Sequence, residues 1–256
     1  DLVSENDTVK CGCSLMFAWI KKRRPPDKTG PPVTAVAGDA QAHNKQGDIF
    51  YERRELPAAE ACYRQALEIK PDFIDARINL GLTLDEQGRF AEAEACYRQI
   101  IEHKPDYALA HFNLGVTLTS QGRLLEAEAC YRRVVEIKPD FSHAHYNLGV
   151  LLQQQYRLVE AEPSYRRTLE INPKHVDAHF NLGLILREQG RRAEAAASLR
   201  RALEIKPDNA EAREALLNLI MAQDRFSEAE VIYQQALVRM PNDAVAHYNL
   251  GVTLKE

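Results

Sequence analysis

The chain has 256 residues, of which 45% are hydrophobic and 27% charged, and its formal net charge is −4 at pH 7. These values are typical of a soluble protein, and they argue against a general attraction to nucleic acids or to anionic membranes. The longest apolar run near the N-terminus covers residues 15–20 and is far too short to span a bilayer.

The cysteines and the basic residues favour a reducing compartment. Cys62, Cys96 and Cys130 recur at a spacing of 34 residues, so packing explains them better than a disulfide framework. Cys11 and Cys13 have no second pair with which to complete a metal site. The basic run at residues 21–24 follows the apolar run, whereas the positive charges of a secretory signal precede it. The sequence therefore predicts a cytoplasmic protein without a cofactor or a metal.

Residues 1–39 form the first predicted segment and lack the pattern found in the rest of the chain. Four prolines and two glycines between residues 25 and 38 favour a flexible lead-in. Because Met16 opens a stretch that resembles a natural start, we expect residues 1–15 not to belong to the working protein. The basic run is better explained as a solvated linker than as a localisation signal or an anionic-surface patch.

From residue 40 onward the chain repeats itself every 34 residues. The period is clearest in one file of prolines, which are Pro71, Pro105, Pro139, Pro173, Pro207 and Pro241. Self-similarity at a fixed period of this length predicts a solenoid of stacked supersecondary units. Counting from Ala40 gives six full repeats over residues 40–243 and a partial seventh over residues 244–256.

Each repeat is predicted to be a pair of antiparallel helices. Repeat positions 3, 4, 7, 8, 11 and 14 are apolar, small or amphipathic, and this spacing places one stripe along a first helix. A glycine at position 15 in several repeats suits the left-handed residue that ends a helix. A second apolar helix follows, and proline ends it. Gly115 and Ala127 are small, so we expect the two helices of a repeat to approach closely there.

The pattern N-L-G-x-x-L, followed at fixed offsets by alanine, tyrosine and proline, resembles that of the tetratricopeptide repeat family. The resemblance covers residues 40–243 and the partial seventh repeat. It implies an all-α fold, a right-handed superhelical solenoid of antiparallel helix pairs whose first helices line a concave, peptide-binding groove. It implies no catalytic activity, so the chain is not expected to be an enzyme.

Three repeats depart from the pattern. Repeat one has Lys45, Gln46 and Asp48 on its first helix, which predicts a polar end-cap. Repeat four has Tyr156 at position 15 and Pro163 inside its second helix. A tyrosine in the left-handed region costs about 1 kcal/mol, so we expect that turn to be built differently. Repeat six has Leu217 at the position of the close-packed glycine, and its helices are expected to splay or to adjust their register.

The partial seventh repeat keeps the apolar pattern of a first helix and stops at residue 256. Leu250 and Leu254 are expected to be exposed on this helix, and exposed apolar stripes favour association. The sequence therefore predicts weak self-association through residues 244–256 and a chain that has been cut from something longer.

The candidate binding site lies on the side of the first helices that points away from the second helices. We call positions 5, 6 and 9 of the first helices the ladder face. Its amides can pair with a peptide backbone, while its apolar groups take peptide side chains. The predicted residues are Ile78, Phe112, Tyr146, Phe180 and Tyr248 at position 5, Asn79, Asn113, Asn147, Asn181 and Asn249 at position 6, and Leu82, Val116, Val150, Leu184 and Val252 at position 9.

The asparagines have a second explanation, because each could bond to a neighbouring helix and do nothing more. Asparagine costs about 0.5 kcal/mol against alanine inside a helix, so five copies favour a ligand-facing role. An asparagine ladder of this kind resembles the repeats of O-linked N-acetylglucosamine transferase and its bacterial relatives, where it implies a grip on the backbone of protein substrates. Lys45 and Ala215 break the ladder.

Histidine recurs at position 4, beside the core stripe, and stacked repeats hold these rings too far apart to bind one metal ion. We therefore predict a packing role. His175 and His179 are four residues apart, but only the loosely placed Asp177 is available as a third ligand. The second-helix glutamates, such as Glu126 and Glu128, are predicted to be solvated.

The function predicted first is a protein–protein interaction scaffold that binds an extended, partly apolar peptide across repeats two to five. The alternative is the N-terminal substrate-recruiting region of a larger enzyme, such as a protein O-glycosyltransferase. A third interpretation is a structural spacer with an unused groove. The pattern does not identify the partner.

Overall fold

The computed structural model describes residues 38–222, 225–239, 241–242 and 244–254. The proposed flexible lead-in and its basic run therefore lie almost wholly outside the described residues. Within the described ranges every regular element is an α-helix, as the sequence predicts. The thirteen helices are α1 (Ala40–Glu52), α2 (Leu56–Ile69), α3 (Ile74–Glu86), α4 (Phe90–His103), α5 (Ala108–Ser120), α6 (Leu124–Ile137), α7 (Ser142–Gln154), α8 (Leu158–Ile171), α9 (Val176–Glu188), α10 (Arg192–Ile205), α11 (Ala210–Met221), α12 (Phe226–Arg239) and α13 (Ala244–Thr253).

The chain forms two compact units, and the boundary between them falls within α7. Unit 1 ends at Asn147 and unit 2 begins at Leu148. Within each unit a helix packs mainly on the helix before it and the helix after it in sequence. Successive helices therefore form a repeated helical hairpin in each unit, which confirms the predicted helix pairs.

A glycine and a tyrosine fix the distance between the two helices of most repeats. A Cβ atom on Gly115 would lie 2.8 Å from the Cε1 atom of Tyr131, and one on Gly149 would lie 2.9 Å from the same atom of Tyr165. Such a contact is far too short for two carbon atoms, so only glycine permits this approach. Ala127 is fully buried at the same interface. The expected close approach at Gly115 and Ala127 is confirmed.

The Gly115 contact leads to a stability prediction with a control inside the chain. We expect Gly115→Ala to lower the free energy of unfolding by about 1–3 kcal/mol, because the new methyl group must displace the Tyr131 ring. Gly251 occupies the same repeat position, but a methyl group there would meet no atom within 4 Å. Gly251→Ala should therefore be neutral or slightly stabilising in the same denaturant titration. Equal losses in both variants would contradict the packing argument.

The turn of repeat four has the same construction as the others, so the expectation of a different turn is wrong. Tyr156 adopts a φ of 57°, close to the 74° of Gly122 in repeat three. Its backbone N–H donates to the Gln153 carbonyl at 2.9 Å, the counterpart of the Gly122 bond to Thr119 at 3.0 Å. The Tyr156 side chain is 87% exposed, so it meets no packed neighbour, and the backbone strain is tolerated.

The two helices of repeat six make a less extensive contact than those of most other repeats, as its sequence predicts. The contact between α11 and α12 is less extensive than that in the helix pairs of repeats one, two, three and five. Leu217 replaces the close-packed glycine and is buried, and Tyr233 occupies the opposing position on α12. A leucine side chain needs space that glycine leaves to the tyrosine ring, which accounts for the less extensive contact.

Candidate peptide-binding face

The ladder face of unit 1 is closed. Phe112 and Asn113 are each only 1% exposed. The expectation that this face is open to a ligand is therefore wrong in unit 1, and the predicted ladder-face residues that are buried there are Ile78, Leu82, Phe112, Asn113, Val116, Tyr146 and Asn147. In unit 2, Val150 and Asn181 are buried as well.

The contacts of Phe112 explain this burial. Its ring centroid lies 6.0 Å from that of Tyr131 on α6 and 5.0 Å from that of Phe141, which precedes α7. Position 5 thus packs against the second helix of its own repeat and against the chain that enters the next repeat. The predicted orientation of the ladder face took into account only the contact of α5 with the second helix of its own repeat. A helix that is apolar around most of its circumference is enclosed on most sides.

Asn79 is tied to the preceding repeat. Its side-chain Nδ2 donates to the Oδ1 atom of Asn44 at 3.1 Å and to that of Asp48 at 2.9 Å. Tyr63 donates its hydroxyl to the same Asp48 oxygen at 3.1 Å. Asp48 is half-buried and acts as an internal acceptor, so the expected polar end-cap is wrong at this residue. For Asn79 the second explanation, a bond between neighbouring helices, matches the geometry.

Asn113 occupies the same repeat position but its side-chain amide has no hydrogen-bond partner. Both Oδ1 and Nδ2 are buried and unpaired. The residues of the preceding repeat explain the difference. Repeat one, which precedes Asn79, has Asn44 and Asp48 at positions 5 and 9. Repeat two, which precedes Asn113, has Ile78 and Leu82 at the same positions. Aliphatic side chains offer no acceptor or donor. An unsatisfied buried amide costs about 1–3 kcal/mol, so Asn113 weakens the fold.

A half-buried carboxylate links repeats two and three. Asp85 accepts hydrogen bonds from the Tyr97 hydroxyl at 2.9 Å and from the Thr117 hydroxyl at 2.9 Å. Burial raises the pKa of Asp85 to about 6, and these two hydrogen bonds offset part of that rise. Asp85 is not among the residues predicted from the sequence. The sequence does contain a signal for it, because position 12 of the first helix is aspartate only in repeat two.

The ladder face of unit 2 is more open. Phe180 and Leu184 on α9 are half-buried, and Asn218 on α11 is exposed. On α13, Tyr248 is 73% exposed and Val252 is also exposed. Unit 2 therefore presents amide, aromatic and aliphatic groups to solvent at positions that unit 1 buries.

Asn218 is the residue that sequence reasoning missed. The predicted ladder consists of asparagines at position 6 and is broken at Ala215. Asn218 lies at position 9 of the same helix, on the same face, three residues further along. Reading repeat six for any amide on the face, instead of an amide at one fixed position, identifies it. Asn249 on α13 is half-buried, and its side chain bonds to the Tyr233 hydroxyl.

The recurring histidines close the turns between repeats. His111 Nε2 donates to the Pro105 carbonyl at 2.7 Å, and His145 Nε2 donates to the Pro139 carbonyl at 3.0 Å. The same bond is made by His179 and His247, while His43, also at position 4, lies on α1. These bonds support the predicted packing role.

His175 and His179 make separate local hydrogen bonds. His175 Nδ1 accepts the backbone N–H of Ala178 at 3.2 Å at the start of α9. His179 Nε2 donates to the Pro173 carbonyl at 3.0 Å. Among the described residues, no three histidine, cysteine, aspartate or glutamate side chains are grouped to hold a metal ion. Burial raises the pKa of the Cys96 and Cys130 thiols to about 11, which suits cysteines that serve packing.

Arginine and glutamate side chains connect the second helices of successive repeats. Glu94 accepts from Arg98 at 2.8 Å and from Arg123 of the next repeat at 2.5 Å. Arg123 also pairs with Glu126 at 2.6 Å. Burial alone would raise the pKa of Glu94, but the bonds from Arg98 and Arg123 lower it below its ordinary value. Equivalent groups of four are Glu60, Arg64, Arg89 and Glu92 in unit 1, and Glu162, Arg166, Arg191 and Glu194 in unit 2.

The second-helix glutamates are thus not all solvated. Glu126 is half exposed, as expected. Glu128 is buried and pairs with Arg132 at 2.8 Å, so the prediction of a solvated side chain is wrong there.

None of the helices in the described ranges is both long enough and apolar enough to cross a membrane.

Solved structures share this helical-repeat fold. PilF of Pseudomonas aeruginosa superposes with a TM-score of 0.68 at 20% identity, covering 83% of this chain and 96% of PilF. YrrB, described as a TPR protein with an unusual peptide-binding site, gives a TM-score of 0.57 at 24% identity, covering 70% of this chain and 92% of YrrB. MamA gives a TM-score of 0.59 at 22% identity, covering 64% of this chain and 96% of MamA. No curated protein matches the chain.

Family models agree with the repeat period. Models of the tetratricopeptide repeat match residues 78–140, 126–174 and 146–210, and a further one matches residues 186–250. A model described as TPR repeat matches residues 47–86. These matches run through all six full repeats and into the seventh, and the chain belongs to the tetratricopeptide repeat family.

Proposed function

We propose that the chain is a protein-interaction scaffold that binds an extended peptide on the ladder face of unit 2. The observation that carries the proposal is the difference in exposure between equivalent residues of the two units. At positions 5 and 9 of the first helix, Phe112 and Val116 of unit 1 are closed to solvent. At the same positions in unit 2, Phe180 and Leu184 are half-buried and Asn218 is exposed. The proposal includes no catalytic step.

The exposed groups suit an extended peptide chemically. The amide of Asn218 carries two donors and an acceptor, so it can pair with both N–H and C=O groups of a peptide backbone. The ring of Phe180 and the Leu184 side chain supply an apolar surface for alternate side chains of the same peptide. YrrB, a solved tetratricopeptide repeat protein, is described as having a peptide-binding site, which supports binding of this class of ligand.

The placement in unit 2 differs from the one derived from sequence. Binding across repeats two to five needs Phe112, Tyr146 and Asn113 at the surface, and all three are buried. The role of the ladder in gripping a protein substrate, by analogy with O-linked N-acetylglucosamine transferase, stays a prediction. Recruitment of a substrate for a larger enzyme is compatible with the same surface on unit 2.

A peptide array probed with the purified chain would supply a ligand, and calorimetry would then compare variants. We expect the double variant Phe180→Ala, Asn218→Ala to bind about ten- to a hundredfold more weakly, because it loses one apolar anchor and one hydrogen bond. The matched control is the double variant Phe112→Ala, Asn113→Ala in unit 1. The control should have a lower free energy of unfolding because it loses the buried Phe112 ring. At temperatures where it is folded, it should bind the peptide with the same affinity as the parent chain.

The triple variant Asn113→Ala, Asn147→Ala, Asn181→Ala tests the placement across repeats two to five. Loss of binding in this triple variant, with full binding in the unit 2 variant, would contradict the proposal. Thermal unfolding of each variant separates lost binding from lost structure.

The exposed residues of α13 also bear on self-association. Tyr248, Val252 and Leu254 are exposed, whereas Leu250, expected to be exposed, is half-buried. We propose weak self-association through this helix. A chain that ends at residue 243 should then sediment as a monomer at concentrations where the longer chain associates.

A further inference from the structure

Unit 2 has a second surface, separate from the ladder face, that forms a groove with both apolar and charged residues. An open groove of about 430 Å³ lies between α10, α11 and α12. Its apolar lining comes from one residue of α10, one of α11 and three of α12, namely Leu203, Leu216, Val231, Ile232 and Ala236. The groove lies on the side of α11 that carries Arg213 and Leu216, away from Asn218.

Unit 1 contains the equivalent groove, which serves as an internal reference. It measures about 500 Å³ and lies between α4, α5 and α6, with Ala129 and Cys130 at the positions of Val231 and Ile232. The position of Val231 holds only alanine or proline in the other five full repeats. Val231 is nevertheless 48% exposed, so repeat six displays a larger apolar side chain where the other repeats keep a small one. The unit 2 groove therefore has a larger apolar side chain at this one position than the unit 1 groove has.

The charges around the unit 2 groove also depart from the repeat pattern. In the group around Glu94, two glutamates accept from two arginines. The position of Glu94 is glutamate in repeats one to four, but it is Ala196 in repeat five. Arg200 and Arg225 consequently share one carboxylate, that of Glu228. This group has one carboxylate fewer than its counterparts.

The remaining charged groups do not replace the missing carboxylate. Glu204 also lines the groove, but its carboxylate pairs with Arg201 at 2.6 Å. Arg213 and Arg239 add two further guanidinium groups to the lining, beside Arg200. The side chains of Arg200 and Arg225 are 40% and 48% exposed, so a partner can reach both.

We propose that this groove binds an apolar segment of a partner protein that carries an aspartate or glutamate. The partner carboxylate takes the position that Glu94 fills in unit 1 and accepts hydrogen bonds from Arg200 and Arg225. Its flanking aliphatic side chains pack on Leu216 and Val231. Arginine suits this task because its planar guanidinium pairs with a carboxylate through two parallel hydrogen bonds.

Two labelled peptides test the proposal, each a core of two leucines, one central residue and two leucines, flanked by glycine and serine. The central residue is glutamate in one peptide and glutamine in the other. We expect the glutamate peptide to bind the full chain about tenfold more tightly in fluorescence anisotropy at low salt, since charge-assisted bonds are roughly twice as strong as neutral ones. The preference should shrink at high salt.

Variants locate the effect. Ala196→Glu restores the glutamate of the other repeats and should abolish the preference for the glutamate peptide, and Arg200→Gln should do the same. Val231→Ala should weaken both peptides alike. The Phe180→Ala, Asn218→Ala variant of the ladder face should keep the preference for the glutamate peptide. A result that contradicts binding in the groove can therefore be told apart from one that contradicts peptide binding on the ladder face. Equal binding of the two peptides, binding of neither, or a preference that survives both Ala196→Glu and Arg200→Gln in folded protein would overturn the proposal.

Discussion

Replacing Asn79 by leucine should lower the free energy of unfolding by about 2 kcal/mol, whereas the same change at Asn113 should raise it by about 1–2 kcal/mol. The two residues occupy one repeat position on neighbouring first helices. Asn79 donates to Asn44 and Asp48, so its loss leaves a half-buried carboxylate with one bond fewer. Asn113 makes no side-chain bond, so its loss removes only a desolvated amide.

Leucine has nearly the shape of asparagine and a higher helix propensity, and both effects act equally at the two sites. The difference between the two variants, about 3–4 kcal/mol, therefore reports the difference in side-chain hydrogen bonding. Urea titration followed by circular dichroism measures it, with equal slopes required for the comparison. If both variants lose stability to the same extent, the Asn113 amide must have a partner, and the register argument fails.

Replacing Asp85 by asparagine should stabilise the chain at pH 7 by up to about 3 kcal/mol. The folded-state pKa of Asp85 is raised from 3.8 to about 6, chiefly by burial. Between these two values the folded state binds more protons than the unfolded state, so stability falls as the pH rises through this window. Asparagine is neutral throughout and can still bond to the Tyr97 and Thr117 hydroxyls.

The difference in unfolding free energy between Asp85→Asn and the parent, measured from pH 3 to pH 8, isolates this carboxylate from the others. We expect it to be small below pH 4, to grow between pH 4 and pH 6, and to level off above pH 6. Glu60, Glu94 and Glu162 have lowered pKa values, so their contribution has the opposite sign and cancels in the difference. Asp72→Asn, at an exposed site, is the control. A difference that does not change with pH would contradict the raised pKa.

The fold followed from sequence because its determinants recur at a fixed period. The contact of Gly115 with Tyr131 lies within one repeat, and a residue pair within one repeat has the same spacing in every copy. The turn at Tyr156 shows how strongly the repeat dictates geometry, since a residue poorly suited to a φ of 57° adopts the conformation of its glycine counterparts.

The candidate site was predicted less accurately from the sequence, because the exposure of its residues depends on contacts between repeats. The burial of Phe112 comes from Phe141 as well as from Tyr131, and the pattern within one repeat contains no information about the first of these. Whether an asparagine of the ladder is paired depends on the residues one repeat earlier, which differ between Asn79 and Asn113. Reading each position against the preceding repeat predicts this difference, and reading each repeat alone does not.

The central claim is that a peptide contacts the ladder face of unit 2, and photo-crosslinking tests it most directly. A peptide selected on an array would carry one benzophenone side chain, and mass spectrometry would locate the attachment point on the chain. We expect crosslinks to fall on α9 and α11, around Phe180, Leu184 and Asn218. Crosslinks confined to α3 and α5 of unit 1, around Ile78 and Phe112, would contradict the claim.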